Sequence, residues 1–170
     1  DTRLEDVRVP KENVLGTVGG GFNILFSITA EGRLTRSAIA IALAQAALDE
    51  SVSFVKERLD GRRQQVSLET TKWLLAEMAV RIPPARITAY RIAWLTDAGE
   101  DTRMTSAIIK LFAARVATEV TDKAMDIHGL TGLLKGTKME RIYRQAKQFD
   151  LTEGTSEVQR TIVAGSLLMR

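Results

Sequence analysis

The segment Leu151-Thr152-Glu153-Gly154-Thr155-Ser156-Glu157-Val158-Gln159-Arg160 sets one carboxylate, Glu153, directly before a glycine, a threonine and the start of a helical pattern. Thr155 or Ser156 can cap the N-terminus of that helix, and Ser156 with Gln159 three residues later resembles a capping box. A carboxylate just upstream of a helix sits near its positive end, which favours the ionised form, whereas burial against an apolar ligand disfavours it. Those opposing influences let an acid stay ionised while idle and become a stronger base once water is excluded. Helix punctuation and a proton-abstracting base are therefore the two readings of Glu153.

Other chemistries lack the residues they need. His128 is the single histidine and no Glu-x-x-His pair exists, so a histidine-rich metal site is not expected. A serine triad would need His128 as base, yet no serine stands in a nucleophile elbow. His128 precedes Gly129 at the end of a helical run, where a cation is favourable in any case. Gly19-Gly20-Gly21 lacks both the Lys-Ser/Thr of a P-loop and the spacing of a dinucleotide fingerprint, and reads as a hinge.

The 170 residues suit one domain, with 45% hydrophobic and 26% charged residues, the composition of a soluble globular protein. Absence of cysteine removes disulfide and thiolate chemistry and is compatible with a reducing cytosol, so a cytoplasmic location is expected. Net charge is +3, and the one tight basic cluster, Arg62–Arg63, reads as a solvated helix end rather than a phosphate track; nucleic acid is not expected as a partner. No run approaches the roughly 18 uninterrupted apolar residues of a membrane span. The chain begins without methionine or a signal-peptide pattern and reads as a piece of a longer protein.

The elements that must position Glu153 are helical. Leu4, Val7 and Val9 followed by Pro10 suggest the end of a strand entering a loop. From Phe22, apolar residues recur at steps of three and four. Leu34, Ala38, Ile41, Gln45, Leu48, Val52 and Val55 trace a first face; Leu75, Met78, Ile82, Ala85, Ala89 and Ile92 a second; Ile109, Phe112, Val116, Val120, Ala124 and Ile127 a third; Val158, Ile162 and Leu168 a shorter fourth. Pro83-Pro84 is expected to kink the second helix, Gln45 to bond within the core, and the small residues of the first helix to permit close approach. The expected fold is all-α, an antiparallel four-helix bundle over 21–170 with short extra helices and an extended N-terminal segment, residues 1–20.

Six stretches in fixed order carry a resemblance that covers nearly the whole chain: LEDVRVPKENVLG, EGRLTRSAIAIALAQAALDESVSFVKER, LLAEMAVRIPPARITAYRIAWLTDAG, DIHGLTG, ERIYRQAK and LTEGTSEVQRTIVAGSLL. Together the sequence resembles the C-terminal part of acyl-CoA dehydrogenases, with EGTSEVQR the most specific piece. The resemblance implies the end of a middle β-domain over 1–20, a C-terminal four-helix domain over 21–170, and assembly into oligomers through those helices. It implies FAD as cofactor, an acyl-CoA thioester as substrate, and electron-transfer flavoprotein or a similar acceptor. By position it makes Glu153 the base that removes the α-proton while the β-hydride passes to flavin. Thr155 and Gln159 would contact the flavin nucleotide, and Arg33 and Gly154 would lie on the substrate side. Arg58, Gly129 and Gly132 would belong to motifs that clamp the ADP half of a neighbouring subunit's FAD. Some members place their base immediately before the arginine of the first helix; that position is Gly32 here. With the other domains absent, the chain itself is expected to be folded, colourless and self-associating.

Departures from the family pattern concentrate in the clamp. The aromatic of Arg-x-x-Phe-Gly is missing from Arg58-Leu59-Asp60-Gly61-Arg62. Gln-Ile-x-Gly-Gly-x-Gly has become Asp126-Ile127-His128-Gly129-Leu130-Thr131-Gly132, which sets an anionic side chain where pyrophosphate or adenine would lie. The tyrosine usual before the base is Thr152, and an aspartate found in some members three residues before Arg33 is Ala30. An intact base with an eroded clamp suggests a heteromeric dehydrogenase whose paralogous subunit supplies the missing clamp. An assembly subunit with little catalysis of its own, or an acyl-CoA oxidase, are the alternative readings.

Overall fold

The computed structural model describes residues 2–60 and 68–169. Among the described residues six α-helices follow one another: α1 (Gly21–Asp60), α2 (Leu68–Asp97), α3 (Arg103–His128), α4 (Leu130–Leu133), α5 (Lys138–Gln148) and α6 (Ser156–Leu168). Arg62, Arg63 and Gly61, singled out in the sequence, lie outside the described residues. The N-terminal segment is extended and exposed apart from a short 3₁₀ turn at Lys11–Asn13, and no strand is present among the described residues. The strand expected from Leu4, Val7 and Val9 has no neighbouring strand to pair with, and an unpaired strand leaves its backbone groups without a ladder.

α3 is the axis of the bundle, packing against α1, α2, α5 and α6. It runs alongside α1 in the same sense, since Phe54 stacks on His128 at one end while Arg33 and Lys110 feel each other's charge at the other. α2 runs opposite to both: Arg86 Nη2 donates to Gln45 Oε1 of α1 at 2.8 Å, and Lys123 of α3 pairs with Glu77 at 2.5 Å. α5 descends and α6 ascends again, giving the alternation expected of short connections.

Why each helix buries the face it does follows from side-chain size. The α2 stripe is as the spacing predicts, with Met78, Ile82, Ala85, Ala89 and Ile92 all buried. In α1 the buried line Arg33, Ser37, Ala40, Ala44, Ala47 and Ser51 lies beside the expected stripe, of which Ile41 is buried, Leu34, Leu48 and Val55 are partly buried against the core, and Ala38 is exposed. Small side chains on that line let α1 approach α3 closely, and the larger apolar residues flank the contact. Gln45 bonds at the rim, to Arg86 and to Asp49 Oδ1 at 2.9 Å, rather than inside the core. α2 continues through Pro83 and Pro84, whose missing N–H groups leave two turns without their usual bonds on its exposed side.

Two surfaces of the bundle are apolar and open. On α2, Trp73, Val80, Ile87 and Trp94 recur every seventh residue on its outer face with Tyr90 beside them, and all five are more than half exposed. Val158, Leu167 and Leu168 of α6 are open as well. By length and composition alone Gly21–Leu59 of α1 is apolar enough to cross a membrane, although Gln45, Asp49 and Glu50 interrupt its apolar run. Its Ala40, Ile41, Ala44 and Ala47 are nonetheless spent inside the bundle, which accounts for part of that apolarity.

Candidate active site

Glu153 occupies a tight turn between α5 and α6, at φ 55°, a left-handed conformation uncommon for residues other than glycine. Such a backbone costs about 1–2 kcal/mol and persists only where neighbours hold it. Gly154 follows at φ 89°. The bracing is visible: the carbonyl of Gly154 accepts from Lys110 Nζ at 2.7 Å and from Gln159 Nε2 at 3.2 Å. The same Gln159 nitrogen donates to the carbonyl of Glu153 at 3.1 Å. In a trans peptide the N–H points opposite to the C=O. Drawing both carbonyls onto buried donors therefore turns the N–H groups of Gly154 and Thr155 the other way. Among the described residues the N–H groups of Glu153, Gly154 and Thr155 make no hydrogen bond.

Beyond the turn, Thr155 is the N-cap of α6 and its hydroxyl accepts from the N–H of Val158. Ser156 is therefore the first residue of the helix, not its cap, and its hydroxyl donates to Asp150 Oδ1 at 3.1 Å. The capping box expected between Ser156 and Gln159 does not form, because Gln159 is buried and uses its amide on the turn. Gln159, which the resemblance places at the flavin nucleotide, braces the turn through its Nε2, and its Oε1 is buried without a hydrogen-bond partner among the described residues.

The Glu153 side chain reaches back over α1. A Cβ built on Gly32 would lie 3.1 Å from Glu153 Oε2, so the carboxylate occupies the space beside a position inside α1 that lacks a side chain. Arg36 Nε stands 3.5 Å from Oε1, longer than a charge-assisted bond of about 2.8 Å. With the two side chains 38% and 32% exposed, that pair is of the kind worth at most about 1 kcal/mol and leaves the carboxylate free to move. Arg33, one residue beyond Gly32, is buried, and its Nε has no partner. Burial lowers its pKa from the ordinary arginine value while the nearby Glu153 carboxylate opposes the change. Lys110 is likewise lowered by burial, against the attraction of Asp150, Glu157 and Glu153. Two buried cations thus lie near one partly exposed carboxylate.

The structure brings together Glu153, Gly154, Thr155, Gln159 and Arg33 from the sequence-derived candidates. It does not bring Arg58, Gly129 and Gly132 to them. Those gather at the far end of α1, roughly 37 Å from Arg33 at 1.5 Å per residue. There the Arg58 guanidinium lies 4.1 Å over the Phe54 ring, whose ring stacks on His128 at 4.1 Å. His128 is buried with Nε2 unpartnered, and burial lowers its pKa from 6.5; Glu50 opposes this and Arg58 adds to it. The helix-end cation expected at this position is therefore a neutral imidazole at pH 7. Asp126 and Leu130 of the same motif are exposed. Lys110 was not among the candidates; its signal was a lone lysine within the apolar run Ala107-Ile108-Ile109-Lys110-Leu111-Phe112. Among the described residues no cluster of acidic or histidine side chains is arranged to hold a metal ion.

Comparisons with known proteins agree with this geometry. A family model described as the acyl-CoA dehydrogenase C-terminal domain matches residues 19–168. The chain is 35% identical over its full length to the caffeyl-CoA reductase-Etf complex subunit CarC of Acetobacterium woodii, covering 45% of that protein. It is 37% identical over 164 residues to the short-chain specific acyl-CoA dehydrogenase of Clostridium acetobutylicum, covering 96% of this chain and 43% of the other. Among solved structures, butyryl-CoA dehydrogenase from Megasphaera elsdenii superposes with a TM-score of 0.86 at 33% identity, over 96% of this chain and 43% of that one. The chain spans under half the length of these relatives. Helices, turn and matched residues coincide in one conclusion: the chain belongs to the acyl-CoA dehydrogenase family and corresponds to its C-terminal helical domain.

Proposed function

We propose that the whole protein carries out α,β-dehydrogenation of an acyl-CoA thioester, or the reverse reduction, with Glu153 as the residue that takes and returns the α-proton. The observation that carries this reading is the Glu153 turn: a carboxylate held at a left-handed backbone position by two buried donors, over a glycine, and without a tight ion pair. In dehydrogenation the Cα–H bond breaks, its electron pair forms the Cα=Cβ bond, and the proton goes to a Glu153 oxygen. FAD, when bound, accepts the β-hydride. An α-proton is far too weakly acidic for a carboxylate unless the thioester carbonyl is polarised and the base desolvated. The free N–H of Glu153 can donate to that carbonyl. Substrate would displace the loose Arg36 contact and exclude water from the carboxylate.

Residues at the start of α6 suit a cofactor of this kind, because the N–H of Thr155 is unpaired and stands at the positive end of a helix. The distal motif does not suit the ADP half: Arg58 is engaged by Phe54, and Asp126 adds negative charge. That mismatch favours a heteromeric form of the same reading, in which a paralogous subunit provides the clamp. Helix-mediated assembly is supported by the open apolar stripe of α2, whose members recur every seventh residue. An electron-transfer flavoprotein as acceptor is supported by the name of the Acetobacterium relative, a subunit of a caffeyl-CoA reductase-Etf complex.

The test is Glu153→Gln in the full-length protein with its native subunits. Flavin reduction by acyl-CoA should fall by about 10²–10⁴-fold with flavin content unchanged; reduction at the wild-type rate refutes the assignment. Full-length protein purified alone with stoichiometric FAD would refute the heteromeric form.

A further inference from the structure

Lys110 heads the fully buried side chains of the bundle by volume, with 2% of its surface exposed. Burying an ammonium group is costly, several kcal/mol after relaxation, and an apolar side chain of similar length would fill the same space without that cost. No carboxylate forms an ion pair with it among the described residues. Its hydrogen bond goes instead to a backbone carbonyl, that of Gly154, the residue next to Glu153. The charges that face it are Asp150 and Glu153 from the turn, Glu157 from α6 and Arg33 from α1. Three constraints then converge on one turn: Lys110 from α3, Gln159 from α6, and the Gly32 gap on α1.

We propose that Lys110 is a positioning residue for Glu153: by holding the Gly154 carbonyl from inside the bundle, it fixes the turn in its left-handed form and so aims the carboxylate and the outward N–H groups. The proposal rests on the reading of Glu153 as the base. It adds that the aim of this base depends on a cation in a different helix, one that touches neither substrate nor cofactor. Lys110 acts through the backbone alone, so its loss should appear in the chemical step and not in substrate binding.

Lys110→Met in the full-length, flavin-loaded protein separates these roles, because methionine keeps the length and packing and removes the charge and the donor. The expected result is a fall in flavin-reduction rate and kcat on the order of 10²-fold, the penalty of a base displaced by about 1 Å, with KM within about threefold. The melting temperature should be unchanged or higher, since the desolvation cost of the ammonium is removed. Lys110→Arg, which retains a cation and donors, should keep a rate well above that of Lys110→Met. A kcat for Lys110→Met equal to wild type overturns the proposal. So does a Lys110→Met protein that fails to fold, which would make the residue structural, and so does an Arg variant as slow as the Met variant. Glu153→Gln measured in parallel keeps the two ideas apart. If it retains full rate, the base assignment falls and Lys110's role with it. If it is inactive while Lys110→Met is normal, only the role of Lys110 falls.

Discussion

Gly32→Ala sets stability against activity at a single methyl group. Gly32 lies in the interior of α1, where glycine is about 1 kcal/mol less favourable than alanine because it leaves the unfolded chain more freedom. The added Cβ would meet only the Glu153 carboxyl group, at 3.1 Å from Oε2 and 3.6 Å from Cδ. That contact is a few tenths of an ångström too close, and the partner is the end of a side chain with room to yield. The helix should therefore gain nearly its full propensity term, raising stability by about 1 kcal/mol and the melting temperature by about 2–4 °C. The base should be pushed aside by a few tenths of an ångström, slowing proton abstraction roughly two- to tenfold, a fraction of the loss from a 1 Å misplacement. Urea unfolding of the chain measures the first effect and stopped-flow flavin reduction in the full-length protein the second. A less stable variant, or one that turns over at full rate, would show that the carboxylate does not rest where Gly32 leaves space.

Gly154→Ala should act in the opposite sense. Its φ of 89° penalises any side chain, and the new Cβ would stand 2.6 Å from Gln159 Nε2, displacing a donor that serves two carbonyls. A loss of about 2–4 kcal/mol is expected in denaturant titration. For His128, burial holds the folded-state pKa below its ordinary 6.5, so the unfolded chain binds the proton first as pH falls. Stability should be full above about pH 6.5 and decline below it, and His128→Leu should flatten that decline in urea midpoints measured across pH 5–8.

Much of the bundle was legible because α2 and α3 carry large apolar residues at helical spacing, so that Met78, Ile82 and Val116 could be read as core directly. α1 was legible as a helix and only partly in its orientation: Ile41 is buried as its spacing predicts, but the rest of the buried line is mostly alanine and serine, which carry little pattern. α5 was read only as part of a family resemblance. Its signals were present, as Thr137 caps it by accepting from the N–H of Glu140, and Met139, Ile142 and Ala146 are buried three and four residues apart. Five charged residues in this eleven-residue helix diluted that period. In the site, Glu153 and its glycine were readable from the motif. Lys110 was not, because burial of a lysine is decided by packing on every side of a central helix, which spacing along one chain does not reveal.

The 40-residue length of α1 has a mechanical consequence. One uninterrupted rod joins the arginine beside the proposed base to the arginine stacked on Phe54, so the two ends share a single rigid body and cannot shift independently. Over roughly 37 Å, a pivot of about 1.5° at one end carries the other through about 1 Å. Whatever docks at the Arg58 end of this rod is thereby geared to the carboxylate at the other.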